Sequence, residues 1–423
     1  MSNFYEDREA APAPERERLL FARLAQALET ARCQAPAIDR QLQGIAIAAL
    51  RSRDDLQAIP VVRKSELLAA QGQARAHADP GAPVNERVFG GFSTLGWGQA
   101  ARVFSSPGPI YEPESRRPDY WGFARALYAA GFRAGQLVHN CFSYHFTPAG
   151  SMMETAAHAL GCTVFPGGVG QTEQQVQVIA DLRPDGYTGT PSFLKIILEK
   201  ADEMGVTLPS LRRALFSGEA FPPSLRQWFF DRGIDGYQAY GSADLGMMAY
   251  ETSAREGLVV NEDLILEIVR PGTSQAVPEG EVGEVVVTSL NPDYPLVRFG
   301  TGDLSAIMPG VSPCGRTNQR IRGWMGRADQ TTKVRGMFVH PGQIAGLMKR
   351  HPQVRKVRLE VQGKIGADVM VLKVELDPAS GDIRQQLADT VREVTKLRAD
   401  VEVVSPGSLP NDGKVIDDVR SYD

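Results

Sequence analysis

The chain has 423 residues, more than a single hydrophobic core usually organises, so we expect at least two domains. Hydrophobic residues make up 43% and charged residues 23%, a composition typical of globular proteins and not of disordered or fibrous ones. The formal net charge of -4 argues against a nucleic-acid partner, which would favour an excess of positive charge. No apolar run approaches the roughly 20 residues needed to cross a bilayer, so we expect no membrane span.

The N-terminal composition and the cysteines both favour a cytoplasmic location. Residues 1–17 are charged and rich in Pro and Ala, and they lack the apolar segment of a secretory signal. Cys33, Cys141, Cys162 and Cys314 are scattered and form no Cys-x-x-Cys pair. We therefore expect reduced thiols and no disulfide framework.

One stretch of the chain is crowded with potential zinc ligands, namely His139, Cys141, His145 and His158. Their spacing matches no established ligand pattern for structural or catalytic zinc. We therefore favour a buried cysteine among ordinary histidines, with zinc kept open as an alternative.

The first predicted element is an amphipathic helix over residues 14–32, in which Leu19, Leu20, Phe21, Leu24 and Leu28 recur at helical spacing. Residues 72–120 are rich in Gly, Pro, Ser and Asn, which predicts turns, short strands and loops.

Helical patterns then alternate with short apolar strands between residues 121 and 235. The predicted helices cover residues 123–130, 151–160, 173–182, 193–204 and 223–231. The predicted strands cover residues 136–139, 162–165, 186–190 and 214–216. This alternation is typical of βαβ units and of a mostly parallel sheet.

The pattern changes after residue 240. Segments 264–269, 283–289 and 303–308 alternate like antiparallel strands and predict a β-rich subdomain at about residues 250–325. Beyond residue 329, helices are predicted at 341–351 and 383–397, and strands at 354–361, 369–376 and 401–404. The fold class is therefore α/β, with a large N-terminal domain over residues 1–328 and a small α+β domain over residues 329–423.

Several short motifs follow one another in the second half of the chain. They are FSGEA at 216–220, YGSADLG at 240–246, RFGTGDL at 298–304, GRADQTTKVRG at 326–336 and LPNDGK at 409–414. In this order they resemble the phenylacetate–CoA ligase family of adenylate-forming enzymes, and the resemblance extends over about residues 85–418.

The resemblance implies an ATP-dependent acid–CoA ligase. A carboxylic acid and Mg-ATP would give an acyl-adenylate and pyrophosphate, and coenzyme A would then release AMP and form the thioester. Because ATP repels a carboxylate, this chemistry needs cations and dipoles where charge develops, together with a divalent ion. The expected partners are thus a small carboxylic acid, ATP/AMP, Mg²⁺ and coenzyme A, with a homodimer as a candidate oligomeric state.

Three residues of the motifs take mechanistic roles by resemblance. Lys414 serves adenylation by bridging carboxylate and phosphate oxygens, although it could also be an ordinary exposed lysine. Asp303 accepts the ribose hydroxyls, the alternative being a turn aspartate. Asp329 is the hinge about which a mobile C-terminal lid rotates between the half-reactions, the alternative being a helix or turn cap.

Asp244 stands where the family has a glutamate that helps to hold Mg²⁺. Aspartate keeps the charge and the hard oxygen ligands but is one methylene shorter, and it is our catalytic and metal-holding candidate. Arg327 is a candidate contact to ribose or phosphate, and the glycine of the 217–219 loop permits close approach to adenine. The remaining nucleotide-binding candidates are Ser217, Gly218, Glu219, Ala239, Tyr240, Gly241, Ser242 and Lys333.

The phosphate loop departs from the family pattern, which is rich in Ser, Thr and Gly and ends in lysine. Ser105, Ser106 and Gly108 remain as candidates, but Pro107 and Pro109 have no N–H to cradle a phosphate. This departure keeps open a catalytically silent sensor of nucleotide or acyl-adenylate.

The acid pocket is predicted at Phe142, Tyr144, His145 and Phe146, where a flat apolar slot would suit an aryl or arylacetic acid. The alternative is that these aromatic residues belong to the core. An enzyme that loads a carrier protein instead of coenzyme A is a further alternative.

Overall fold

The computed structural model describes residues 3–77, 79–270, 272–325, 327–328, 332–335, 337–339, 341–363, 368–376, 381–410 and 414–420. The chain divides into two compact units, residues 1–325 and 326–423. The predicted domain boundary, after residue 328, lies close to this division.

The first unit contains α-helices along its whole length. They are α1 (Ala13–Gln34), α2 (Pro36–Gln41), α3 (Lys64–His77), α4 (Val84–Arg87), α5 (Ala124–Ala129), α6 (Ala149–Ala159), α7 (Thr172–Leu182), α8 (Pro191–Glu203) and α9 (Pro223–Phe230). Short 3-10 helices cover Asp7–Ala10, Ile47–Ala49 and Asp54–Ala58. Helix α1 confirms the amphipathic helix predicted for residues 14–32.

The strands of the first unit, numbered in chain order, form a large sheet, a smaller sheet and a hairpin. They are β1 (Val62–Arg63), β2 (Arg102–Ser106), β3 (Ile110–Glu114), β4 (Leu137–Asn140), β5 (Thr163–Pro166), β6 (Gly186–Gly189), β7 (Arg213–Phe216), β8 (Asp235–Ser242), β9 (Gly246–Tyr250), β10 (Leu258–Val260), β11 (Leu264–Val269), β12 (Gly283–Ser289), β13 (Phe299–Ser305), β14 (Ile307–Met308) and β15 (Arg320–Ile321).

The large sheet has the strand order β14-β15-β10-β9-β8-β7-β6-β4-β5. Strands β5, β4, β6, β7 and β8 are parallel to one another, and β9, β10, β15 and β14 continue the sheet from β8 in antiparallel fashion. Helices α6 to α9 lie between consecutive parallel strands in the sequence, as connections between parallel strands require. The predicted α/β fold is confirmed, but the large sheet is mixed, because only β4 to β8 pair in parallel.

Helix α8 illustrates why these segments become crossover helices. Thr190 caps its N-terminus by accepting a hydrogen bond from the Phe193 N–H at 3.4 Å, and Pro191 occupies the first helical position. Leu194, Ile197 and Leu198 are buried at helical spacing and cover the sheet. Burial of each of these side chains contributes roughly 2 kcal/mol.

The smaller sheet has the order β1-β13-β12-β11. The predicted strands at 264–269 and 283–289 are confirmed as β11 and β12, which pair antiparallel. The strand predicted at 303–308 was wrong in its start, because pairing with β12 already begins at Phe299 and stops at Ser305. The strands of residues 250–325 are shared between the two sheets, since β10, β14 and β15 join the large one.

Helix α3 lies partly in a region that was predicted as turns and loops. Leu67 and Gln71 are buried on one face, and the Gln71 side-chain amide donates to the Tyr111 carbonyl at 3.0 Å. A helix that buries so few apolar side chains has a weak hydrophobic period, so the pattern of the sequence did not reveal it.

The second unit contains α10 (Pro341–Arg350) and α11 (Arg384–Thr395), with strands β16 (Thr332–Val334), β17 (Met337–Val339), β18 (Val354–Gln362), β19 (Val369–Leu376), β20 (Asp400–Val404) and β21 (Ile416–Asp418). One sheet has the order β20-β19-β18-β21, and β16 pairs with β17. Leu359, Leu372, Leu387 and Val391 are buried in a hydrophobic core formed within this unit.

Within the part of the chain that the structure describes, no helix is long and apolar enough to cross a membrane.

A buried arginine ties the smaller sheet to the N-terminal region. Arg298 is fully buried, and its guanidinium donates to both carboxylate oxygens of Glu267 at 3.0 Å and to the Ile59 carbonyl at 2.6 Å. Arg298→Ala should lower the free energy of unfolding by about 3–5 kcal/mol, because it leaves a carboxylate buried without its partner.

The measurement is urea unfolding followed by tryptophan fluorescence, since Trp97, Trp121, Trp228 and Trp324 all lie in the first unit. The matched control is Arg270→Ala, whose side chain is 62% exposed and should matter by less than about 0.5 kcal/mol. Equal effects of the two substitutions would contradict the role of Arg298.

Candidate active site

Part of the predicted site lies at the carboxyl ends of the parallel strands. Strand β4 ends at Asn140 and β7 at Phe216, and the loops that follow carry the acid-pocket candidates and the candidate adenine loop. Ligands of open α/β sheets bind in the crevice outside these strand ends.

The loop after β7 is held against the start of α8. The Ser217 N–H donates to the Gly189 carbonyl at 3.3 Å, and a Glu219 carboxylate oxygen accepts from the Ser192 hydroxyl at 2.5 Å. Gly218 has a φ of +79°, a conformation that L side chains rarely adopt. The loop therefore exposes backbone at the sheet edge, as an adenine-contacting loop requires.

A hydrogen bond joins two of the predicted motifs across the two sheets. The Tyr240 hydroxyl, on β8, donates to one carboxylate oxygen of Asp303, on β13, at 2.7 Å. The Trp324 indole N–H donates to the other oxygen at 3.1 Å. Asp303 is 9% exposed, and both of its carboxylate oxygens accept a hydrogen bond.

The end of β8 turns sharply to present Asp244. Gly241 admits no side chain, since an added Cβ would lie 2.8 Å from the Gly246 carbonyl oxygen and 2.9 Å from the Phe123 ring. The Leu245 N–H donates to the Ser242 hydroxyl at 3.2 Å and closes the turn. Ala239 lies in the same strand and is buried.

Asp244 is 5% exposed, and its two carboxylate oxygens differ in their contacts. Its Oδ2 lies 2.8 Å from the Lys64 Nζ, whereas its Oδ1 has no hydrogen-bond partner among the described residues. A buried oxygen without a donor is costly unless a cation or water occupies the adjoining space. The residue therefore fits a Mg²⁺ ion that takes its other ligands from phosphates and water.

The segment predicted as the phosphate loop is the β2–β3 hairpin. The Ser105 N–H donates to the Phe146 carbonyl at 2.7 Å, and the Ser106 N–H donates to the Glu112 carboxylate at 3.3 Å. The Ser106 hydroxyl also donates to Glu112, so this serine is engaged inside the protein. Gly108 lies in the exposed turn of the hairpin.

Glu112 is fully buried beside this hairpin. Burial and then the negative charge of Asp244 raise the pKa of Glu112 to about 8, while hydrogen bonds from Ser106 and the charge of Lys64 oppose that rise. At neutral pH this carboxyl group is therefore largely protonated.

The predicted acid-pocket residues divide between core and surface. Phe142 is buried, and the Tyr144 hydroxyl accepts from the Asn140 side-chain amide at 2.8 Å, where burial raises the pKa of the tyrosine. His145 is exposed, and Phe146 is 77% exposed. Because the Phe146 carbonyl binds the Ser105 N–H, this segment lies against the hairpin.

The zinc alternative gains no support from the geometry. The buried His139 stacks on Phe165, and its Nε2 lies 2.6 Å from the Gln175 side-chain oxygen. The Cys141 thiol donates to the same oxygen at 3.7 Å. The described residues include no group of three or more His, Cys, Asp or Glu that could hold a metal.

The remaining candidates belong to the second unit. Lys414 is half exposed, and its Nζ lies 2.9 Å from an Asp417 carboxylate oxygen. Lys333 lies in β16 opposite Phe338, and Arg327 is partly exposed. Asp329, the predicted hinge, lies outside the described residues.

Lys64, Glu112 and Trp324 were not among the predicted site residues, yet they contact Asp244, Ser106 and Asp303. Lys64 and Glu112 precede the strongly patterned motifs and carry no local signature. Trp324 stands next to the GRADQTTKVRG motif, and its neighbourhood could have suggested it.

Comparisons with known proteins identify the family. A family model described as AMP-binding enzyme matches residues 122–291. A phenylacetate-coenzyme A ligase of Aromatoleum evansii is 32% identical over 336 residues, which cover 74% of this chain and 76% of that protein. The chain belongs to the phenylacetate–CoA ligase family.

Members of this family are AMP-forming acid–CoA ligases, and this chain uses ATP and coenzyme A through an acyl-adenylate. A phenylacetate-coenzyme A ligase of Thermus thermophilus is 29% identical, with 87% of each chain covered. A solved 2-hydroxyisobutyryl-CoA ligase, in complex with 2-HIB-AMP and CoA, superposes with a TM-score of 0.81 at 25% identity. The match covers 99% of this chain and 93% of that one.

The buried Glu112 predicts a pH-dependent stability. Its pKa rises from 4.5 in the unfolded chain to about 8 in the folded one, so the folded state holds an extra proton between these values. The free energy of unfolding therefore falls as pH rises through this window. The Glu112→Gln variant cannot ionise at this position. The difference in the free energy of unfolding between variant and parent should therefore shift in favour of the variant by about 1 kcal/mol or more from pH 5 to pH 8.

Urea unfolding at pH 5, 6, 7 and 8 measures this margin. Glu203→Gln, at a side chain that is 66% exposed, is the control and should show a constant margin. A margin for Glu112→Gln that does not change with pH would refute the raised pKa.

Proposed function

We propose that this ligase activates an aryl or arylacetic carboxylate and transfers the acyl group to coenzyme A. The observation that carries the proposal is the 32% identity to a phenylacetate-coenzyme A ligase over three quarters of the chain. Phe142 is buried, and both Phe142 and Tyr144 lie in the loop after β4, at the carboxyl ends of the parallel strands. Two aromatic side chains at this place suit a flat, apolar acid.

Each motif residue takes one part of the reaction. Asp303 accepts the ribose hydroxyls while Tyr240 and Trp324 orient its carboxylate. Asp244 holds Mg²⁺, which when bound screens the phosphate charges. The loop over Ser217, Gly218 and Glu219 lies beside adenine, and Arg327 and Lys333 contact the nucleotide.

The second unit acts as a lid that presents different residues in the two half-reactions. Lys414 approaches the carboxylate and the α-phosphate during adenylation and leaves the site before coenzyme A attacks. Asp329 is the hinge of this rotation. The lid domain covers residues 329–423, after a large domain that ends at residue 328. A homodimeric state and a cytoplasmic location complete the proposal.

The geometry of the hairpin favours one competing function. The N–H groups of Ser105 and Ser106 are engaged within the protein, which would suit a sensor that binds nucleotide without turnover. An assay of acid-dependent pyrophosphate release separates the sensor from the ligase.

Acid-dependent pyrophosphate release from Mg-ATP, measured over aryl, arylacetic and short aliphatic acids, tests the substrate class. We expect release with an aryl or arylacetic acid, and thioester only when coenzyme A is added. Nucleotide binding with no pyrophosphate release from any acid would favour the sensor. Transfer to a carrier protein but not to coenzyme A would reassign the acceptor.

Lys414→Ala tests the lid residue. It should slow adenylation by about 100-fold or more, because a cation is lost where negative charge develops, and spare thioester formation from supplied acyl-adenylate. Lys373→Ala, which removes the ion pair to Glu360 in the same unit, is the control and should leave both rates near the parent values. Equal loss in both half-reactions would refute the role of Lys414.

A further inference from the structure

Lys64 is positioned by the smaller sheet. Strand β1 pairs in parallel with β13, with Val62 opposite Phe299 and Arg63 opposite Gly300. Lys64 follows directly as the first residue of α3. The pairing therefore carries Lys64 to the same end of the sheet as Asp303, which follows Gly300 on β13.

Lys64 is a partly exposed residue whose amine pairs with a buried acid. Its Nζ lies 2.8 Å from the Asp244 Oδ2, and its side chain is 33% exposed, whereas the side chain of Asp244 is 2% exposed. The remaining oxygen of Asp244 has no hydrogen-bond partner among the described residues. An ammonium group in this position can contact an incoming anion without leaving Asp244.

The surroundings of Asp244 otherwise do little to attract a triphosphate. Asp244 is acidic, the buried Glu112 is largely protonated at neutral pH and brings no positive charge, and the hairpin N–H groups of Ser105 and Ser106 donate inside the protein. Pro107 and Pro109, in the turn between β2 and β3, have no N–H to donate. A polyanion at this place requires a cation from elsewhere in the fold.

We propose that Lys64 is a catalytic residue of adenylation, whose ammonium group binds the departing pyrophosphate. A carboxylate oxygen of the acid forms a bond to the α-phosphorus. The bond from that phosphorus to the bridging oxygen of the β-phosphate breaks, and pyrophosphate leaves with the electron pair. Lys64 transfers no proton in this step, and its charge offsets the charge that develops on the leaving group.

The proposal rests on the adenylation chemistry of the proposed function and adds a residue to it. The same amine holds Asp244 in place, so it also orients the carboxylate that faces Mg²⁺. A lysine that only neutralised a buried acid would affect stability and both half-reactions alike. A lysine that binds pyrophosphate affects the ATP half-reaction alone.

Lys64→Met and Lys64→Arg are compared in the two half-reactions. Lys64→Met should slow acid-dependent ATP–pyrophosphate exchange by about 30-fold or more and raise the KM for ATP, with the KM for the acid unchanged. Thioester formation from supplied acyl-adenylate and coenzyme A should stay within about threefold of the parent. Lys64→Arg keeps the charge and should recover part of the exchange rate.

Lys195→Met is the matched control, because Lys195 is a partly exposed lysine of α8 whose partner is Glu199 on the same helix. It should leave both half-reactions unchanged. Unchanged exchange in Lys64→Met, or equal loss in both half-reactions, would overturn the proposal.

A second measurement needs no variant and therefore does not depend on folding of Lys64→Met. Acetylation of lysine amines in the parent protein, read out by mass spectrometry, should be slowed at Lys64 by about fivefold or more when Mg-pyrophosphate is added. Acetylation of Lys195 should not change. Equal acetylation of Lys64 with and without Mg-pyrophosphate would overturn the proposal.

These outcomes are distinct from failure of the proposed function. A parent protein that shows no exchange with any acid contradicts the substrate proposal, while the protection of Lys64 by Mg-pyrophosphate still reports on the phosphate contact.

Discussion

The parallel pairing of β4, β6, β7 and β8 is the constraint on which the site depends. Parallel strands end at the same edge of a sheet, so residues far apart in sequence meet there. Asn140, Gly189 and Phe216 end three of these strands, and the loops after β4 and β7 carry the candidate pocket residues and the candidate adenine contacts. The helices between the strands cover the sheet and leave this edge to the ligand.

The second determinant is the junction between the two sheets. The hydrogen bond from the Tyr240 hydroxyl to the Asp303 carboxylate joins a strand of the large sheet to a strand of the smaller one. Trp324 adds a second donor, so the carboxylate is oriented by the protein itself. Donors in place beforehand reduce the ordering cost of binding, which is the general advantage of preorganisation.

Two buried carboxyl groups lie near the β2–β3 hairpin and the turn after β8. Asp244 and Glu112 are both buried, and the fold accommodates each in a different way. Asp244 is paired with Lys64, whereas Glu112 keeps a proton until about pH 8 and accepts a hydrogen bond from Ser106. The Asp244 carboxylate therefore remains available to a cation, whereas Glu112 binds the hairpin through Ser106.

The sequence by itself determined the fold class, the positions of most helices and strands, and the family. Helix α8 and strands β11 and β12 followed from hydrophobic period, capping residues and β-branched runs, which are local properties of the chain. The motifs likewise identified Asp244 and Asp303 by their neighbours in the chain. The weakly amphipathic helix α3 was not predicted, because it has few buried apolar residues. Tertiary contacts of Gln71 hold its buried face instead.

Only the tertiary structure decided which residues surround those motif positions. Lys64 reaches Asp244 because β1 pairs with β13, a contact between residues 180 positions apart. The engagement of Ser105 and Ser106 depends on Phe146 and Glu112, which no local pattern connects to them. Such contacts arise from strand pairing and burial across the whole unit, so the periodicity of a short segment contains no information about them.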